Sequence, residues 1–203
     1  METYKTAYFG YIIFCILLLI AIFGTAYLQF SQDMTGAYKI FSYTCHQKLS
    51  RSICLFKNDA GNMWLSDCTP QTGSFISDAQ DRLRIDAFVN DIKGYKVPVC
   101  ARDIGLYLGL LLGGLCYPLM FELNSRQILP TKYLLVALIP MGIDGTTQLI
   151  SELGMLPFVY ESTNMLRLAT GLIAGIAAAI YAIPILVNML SKDDGKTSNK
   201  PKK

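Results

Sequence analysis

The sequence predicts an all-α fold: a polytopic membrane protein built as a four-transmembrane-helix bundle, with a large extracytoplasmic loop containing an amphipathic helix. Three observations lead there. Hydrophobic residues make up 52% of the 203 and charged residues only 16%, where a soluble domain carries about a quarter charged, and the mean hydropathy is +0.36. The charge is missing in blocks rather than evenly. Each block has the length that a bilayer core requires, about 20 mostly apolar residues.

The first block, Ala7–Phe30, carries no charge. Gly24-Thr25-Ala26 loosely resembles a signal-cleavage site, but the apolar run before it is longer than a signal peptide's, so an uncleaved helix over 7–30 is expected. Ile104–Phe121 and Leu168–Leu190 are also uncharged, and Tyr133–Ile150 holds one charge, Asp144. The expected spans are therefore 7–30, 104–121, 133–150 and 168–190, in a single membrane domain over 1–190.

Lysine and arginine in short loops set the orientation. The second loop, ELNSRQILPTK, holds Arg126 and Lys132; the third, SELGMLPFVYESTNM, holds none. The tail 191–203 has five lysines and reads as a disordered basic cytoplasmic end. Both termini are expected in the cytoplasm of a cell-membrane protein, with 31–103 outside. The net charge of +3 then needs no nucleic-acid partner; the bilayer is the expected one, with a second copy or other membrane proteins as further candidates.

Within 31–103, Ser77 with Gln80 makes a capping-box start. Ile85, Phe88, Val89 and Ile92 follow at helical spacing, and Gly94 is a stop signal. An amphipathic helix is expected there, with loop over 57–74. Cys45, Cys54, Cys68 and Cys100 all fall in this outer segment, and an even number outside the cytoplasm suggests disulfides. Cys54–Cys68 as a local staple and Cys45–Cys100 as a long one is the pairing favoured of three. Cys15 and Cys116, inside apolar spans, read as small hydrophobes.

Polar groups converge near the outer face. Cys45, His46 and Arg51 precede the loop; Cys100, Arg102 and Asp103 open the second span; Asn164 and Arg167 open the fourth. Asp144 lies 12 residues past Lys132, about 18 Å along a helix, and Gln148 is one turn further on the same face. A carboxylate within a span faces the bundle interior and is a functional candidate; a buried counter-ion network that fixes helix register is the competing reading. Gly105, Gly109 and Gly113, facing Gly171, Gly175 and Ala179, would let the second and fourth helices approach and bring Arg102 and Asp103 near Arg167. There is no P-loop, no dinucleotide fingerprint and no nucleophile elbow.

TCHQ (Thr44–Gln47), Arg51-Ser52, PVCAR (Pro98–Arg102) with Gly105, Tyr107 and Gly109, IDGTTQ and STNMLRLATG together resemble a family of small prokaryotic multi-pass membrane proteins catalogued as a domain of unknown function. The resemblance covers the four spans and their outer edges. In that family PVCAR is often followed by a second cysteine, where this chain has Asp103. It implies a fold and a site, not an activity.

Three functions compete. Cys45, His46, Cys100 and Asp103 offer thiolate, imidazole and carboxylate ligands suited to zinc, in a pocket that would take a metal ion or small ligand. A membrane thiol–disulfide oxidoreductase, broadly similar to the vitamin K epoxide reductase class, would use outer cysteines, but Cys100-Ala-Arg-Asp103 lacks the second thiol of Cys-x-x-Cys. The third is a non-catalytic accessory subunit of a membrane complex.

Overall fold

The computed structural model describes residues 3–45, 48–68, 85–89 and 92–194. The elements run α1 (Thr3–Leu28), α2 (Thr35–Phe41), β1 (Ser52–Lys57), β2 (Met63–Asp67), β3 (Asp86–Val89), β4 (Ile92–Cys100), α3 (Ala101–Met120), α4 (Thr131–Glu152) and α5 (Asn164–Asp194). Four helices, α1, α3, α4 and α5, are long and apolar enough to cross a membrane. Each contains most of its expected apolar block, α1 ending two residues short of it and α3 one, while α3 starts three residues earlier than expected and α5 four. Arg102, Asp103 and Arg167 thus stand inside helices rather than on their doorsteps. Helix α5 also runs through 191–194, which the sequence had assigned to the tail; residues 195–203 of that tail lie outside the described residues.

The fold is not all-α. An antiparallel sheet in the order β2-β1-β4-β3 covers the end of the bundle where α1 finishes and α3 begins. SICLFK reads as a strand once its period is counted in twos: Ser52, Cys54 and Phe56 are buried and their neighbours are not, the alternation of a half-buried strand. The turn formers after it close a hairpin. Asn58 accepts from the Asn62 amide through Oδ1 (2.8 Å) and from the Gly61 amide through its carbonyl (2.9 Å), and Gly61 sits at φ +84°, where only glycine is unstrained. Cys54 and Cys68 are joined by a disulfide beside this hairpin.

Where its residues are described, the expected amphipathic helix is likewise replaced by strand. Ser77 and Gln80, its start, lie outside the described residues, while Phe88 and Val89 pair with Lys93 and Ile92 in a β3–β4 ladder. Gly94 ends no helix; it lies in β4 against Phe56, with room for no Cβ between them. The apolar spacing was compatible with one helical face, but β-branched residues over so short a run satisfy a strand equally, and the neighbouring β1 supplies the pairing partner.

Two clusters hold the layers together. Tyr8, Tyr11, Ile12 and Cys15 of α1 pack on Tyr117, Ala179 and Ile183. Nearer the sheet, Ile22 and Ala26 of α1 meet Val97 and Val99 of β4 and Ile104 of α3, so the sheet is seated on the helices by an apolar joint. Tyrosine hydroxyls within the apolar bundle donate to carbonyls, Tyr11 to Leu110 (2.9 Å) and Tyr8 to Gly114 (3.2 Å). Cys15 is buried in this packing, as expected, whereas Cys116 is exposed on α3. Helices α3 and α5 make the closest contact: a Cβ on Gly109 would lie 2.9 Å from the Gly175 Cα, and one on Gly175 would lie 2.9 Å from the Gly109 Cα. Glycine at this spacing lets the backbones touch.

Candidate functional site

The close α3–α5 contact sets where the charged groups go. Gly171 lies against the Arg102 carbonyl, so the first turns of α3 and α5 are side by side, with Arg102 and Asp103 on one and Arg167 on the other. Strand β4 runs directly into α3, and the N-cap of that helix is Cys100. Asp103, three residues on, belongs to the same face, and the Cys100 thiol donates to its Oδ2 at 3.2 Å. Residues 42–45 and 48–51, which follow α2, bring Thr44, Cys45, Lys48 and Arg51 over this junction.

Helix α4 is docked in an unusual way. Among its residues only Asp144 and Gln148 are buried, so the face it offers the bundle is polar and its apolar residues point outward, the reverse of a soluble helix and as expected for one bathed in lipid. Asp144 accepts from Arg102 Nη2, from the Tyr160 hydroxyl (3.0 Å) and from Ser162 Oγ (3.3 Å). Gln148, with its amide oxygen turned so that donors meet an acceptor, receives Arg167 Nη2 (2.8 Å) and Arg51 Nε (3.0 Å) and Nη2 (2.9 Å). One neutral oxygen thus holds two guanidinium groups together.

Arg167, 1% exposed, also donates from Nη1 to Asn164 Oδ1 (3.1 Å) and lies 3.5 Å from Glu161. Arg51 pairs with Glu152 and sits 4.0 Å from Glu161, and Lys48 reaches Glu152 at 3.4 Å. Asn164 Nδ2 turns to the sheet, donating to the Ser52 carbonyl (3.3 Å) and to Asp67 (3.0 Å). That bond ties the start of α5 to β1 and β2.

A cavity of about 210 Å³ opens among these groups, lined by Thr44, Cys45, Lys48, Arg51, Cys100, Arg102, Asp103, Gln148 and Arg167. The structure therefore brings seven of the ten residues singled out in the sequence onto one void. Asp144 stands behind it through Arg102, Asn164 behind it through Arg167, and His46 lies outside the described residues. Thr44 and Lys48 line the cavity without having been singled out; as isolated polar residues outside any periodic run, they carried no signal in the sequence. Glu152 and Tyr160, which anchor Arg51 and Asp144, come from the end of α4 and the following loop, where sequence offers no periodicity.

Cys45 and Cys100 are not joined by a disulfide, contrary to the favoured pairing; the Cys100 thiol is turned to Asp103 instead. The donor atoms of Cys45, Cys100 and Asp103 all lie within 4.8 Å of one another. Two sulfurs on a tetrahedral zinc at about 2.3 Å sit about 3.8 Å apart, so the trio needs little movement to close on an ion. The contact with Cys45, then burial, pushes the Cys100 thiol well above its ordinary pKa, so the proton stays on sulfur until something displaces it. Burial, and then Arg167, lowers the pKa of Arg51. Burial, and then Asp144, raises that of Tyr160.

Residues 90–181 match a family described as "Predicted membrane protein (DUF2085)". An uncharacterized protein of Methanocaldococcus jannaschii is 45% identical over 101 residues, 50% of this chain and 60% of that protein. A second, from Methanothermobacter thermautotrophicus, is 38% identical over 89 residues, 43% of this chain and 71% of that protein. The chain thus spans less than two thirds of the first relative's length. No solved structure matches it.

Proposed function

The chain belongs to this family of membrane proteins, and from that premise we propose that it is a multi-pass protein whose outward-facing pocket binds a divalent metal ion, zinc by its donor chemistry. Cys45, Cys100 and Asp103 are the ligands. The convergence of these three donor atoms within 4.8 Å carries the reading. Two thiolates and a carboxylate form a set that zinc accepts, and three protein ligands leave a fourth position open, the pattern of zinc sites that act on a ligand rather than merely brace a fold. The setting is a cell membrane with both termini in the cytoplasm: the loop charges favour it, and α1 ends, α3 begins, α4 ends and α5 begins at the sheet-covered end.

Metal analysis of the detergent-purified, reduced full chain, combined with a free-thiol count, tests this. One zinc per chain, weakened in both Cys100→Ser and Asp103→Asn, is expected. A reduced protein that takes up no stoichiometric zinc would sink the reading.

Thiol–disulfide exchange is the second reading, favoured by two thiols held side by side. The raised pKa of Cys100 opposes it, because an attacking sulfur needs a lowered one. Retained quinone-coupled reductase activity in Cys100→Ser would exclude that cysteine as the catalytic thiol.

A further inference from the structure

Beside the metal trio, the cavity is lined by four cations, Lys48, Arg51, Arg102 and Arg167, and the neutral Thr44 and Gln148. Among the described residues one carboxylate, Asp103, faces them. The carboxylates that pair with these cations, Asp144, Glu152 and Glu161, are not lining residues, so their charge lies behind the cations as seen from the void. Holding Arg51 and Arg167 on a single glutamine oxygen costs like-charge repulsion that a bilayer-edge site has no structural need to bear.

The hydrogen-bond inventory points the same way. Nε of Arg102 and Nε of Arg167 are buried and have no partner among the described residues, and Arg167 is 1% exposed. Buried donors on a charged group are rarely left unmet. Guanidinium forks match oxyanions in geometry as well as charge. The volume, about 210 Å³, exceeds the roughly 30 Å³ of one liquid water several times over, room for a group of a few heavy atoms.

We propose that this cavity binds a small oxyanion, a carboxylate or phosphate group, which Arg51, Arg102, Arg167 and Lys48 hold against the open position of the metal at Cys45, Cys100 and Asp103. The inference rests on the same pocket as the metal reading but on different side chains. Without metal, the Asp103 carboxylate faces the anion and opposes it, and Asp103→Asn removes that repulsion. Zinc on two thiolates and this carboxylate leaves the trio with the same single negative charge, so metal and anion bind cooperatively through the ion's open position, which takes an oxygen of the anion directly.

Titration calorimetry of the full chain with inorganic phosphate and with acetate tests it, on metal-free wild type, metal-free Asp103→Asn, and zinc-loaded protein with acetate. One anion per chain is expected, bound about tenfold or more tightly by the Asp103→Asn form than by metal-free wild type. Arg51→Gln and Lys48→Gln, both at partly exposed positions, should each weaken it about tenfold or more. Anion binding by Asp103→Asn in a chain that takes no zinc sustains this proposal while the metal reading falls. Binding to none of the three forms, or binding unchanged in both cation variants, overturns it. Repeating the phosphate titration in phosphatidylglycerol against phosphatidylcholine nanodiscs identifies the source: loss of free phosphate binding in the anionic lipid marks a lipid headgroup as occupant, and retention marks a soluble anion.

Discussion

Arg102 in the first turn of α3 and Asp144 in the middle of α4 form an ion pair across 42 residues of chain, and it is the principal polar link by which α4 is held to α3. Asp144 is 4% exposed and Arg102 retains a quarter of its side chain in the open. Removing one partner of a buried pair strands the other. Asp144→Leu should destabilise the protein by about 2–4 kcal/mol, toward the low end because Arg102 keeps some solvent. Arg102→Met combined with Asp144→Leu should recover much of that loss. Thermal unfolding in detergent, followed by Trp64 fluorescence, measures both; a double variant as unstable as the single one would show that the aspartate does something other than neutralise the arginine.

The α3–α5 contact makes a sharper steric forecast. Gly109 and Gly175 have no space for a Cβ, whereas Gly142 on α4 has nothing within 4 Å of one. Gly109→Ala should cost about 1–3 kcal/mol or more, since what it meets is backbone that cannot swing aside. Gly142→Ala should be neutral or slightly stabilising. Comparative melting of the two variants reads this out, and equal melting would place the helices further apart than described.

Cys54–Cys68 closes a loop of 14 residues in sequence separation, for which chain-entropy reasoning gives about 3 kcal/mol. The β1–β2 hairpin already fixes the register on either side, so part of that constraint is duplicated. Cys54→Ser with Cys68→Ser should lower stability by about 1–3 kcal/mol, concentrated in the sheet. Hydrogen exchange should show β1 and β2 losing protection while α3 and α5 keep theirs; uniform loss would tie the sheet more tightly to the bundle than the layers suggest.

The pH dependence of metal uptake follows from the Cys100 proton. Its pKa is raised, so between about pH 6 and 8 the thiol is protonated and an incoming ion must displace that proton. Affinity should therefore rise with pH, about tenfold per unit for each proton released, and Cys100→Ser should reduce the slope by one proton. Competitive zinc titrations across that range provide the slope. A flat profile would mean that Cys100 does not ligate.

What was legible in the sequence follows from which forces act locally. The four apolar helices and the glycine faces of α3 and α5 are visible because a bilayer imposes length and composition on each segment independently. The sheet was hidden because a strand is stabilised by its neighbour: SICLFK alternates over too few residues to announce itself, and Phe88, Val89 and Ile92 fit a helical face until β4 is laid beside them. The cavity was half visible. Arg102 and Asp103 stand out as charge against an apolar run, with Cys100 beside them, and Asp144 as charge within one. Lys48 and Tyr160 lie between elements and Glu152 at the very end of α4, where only the folded path of the chain says what they will meet. The long disulfide was wrong for a related reason: counting cysteines assigns partners by compartment, while the Cys100 thiol had a nearer acceptor three residues away.

The junction between β4 and α3 has a mechanical consequence. Strand ends at Cys100 and helix begins at Ala101, with no loop to absorb a displacement, and Val97 and Val99 key the strand into α1 through Ile22 and Ala26. Rotation of the Cys100 side chain can carry its sulfur to an ion without disturbing that joint, so sheet and helix stay in place while the trio closes. Gly171 and Gly175 bear directly on the backbone of α3 and brace the same end of the bundle from the other side.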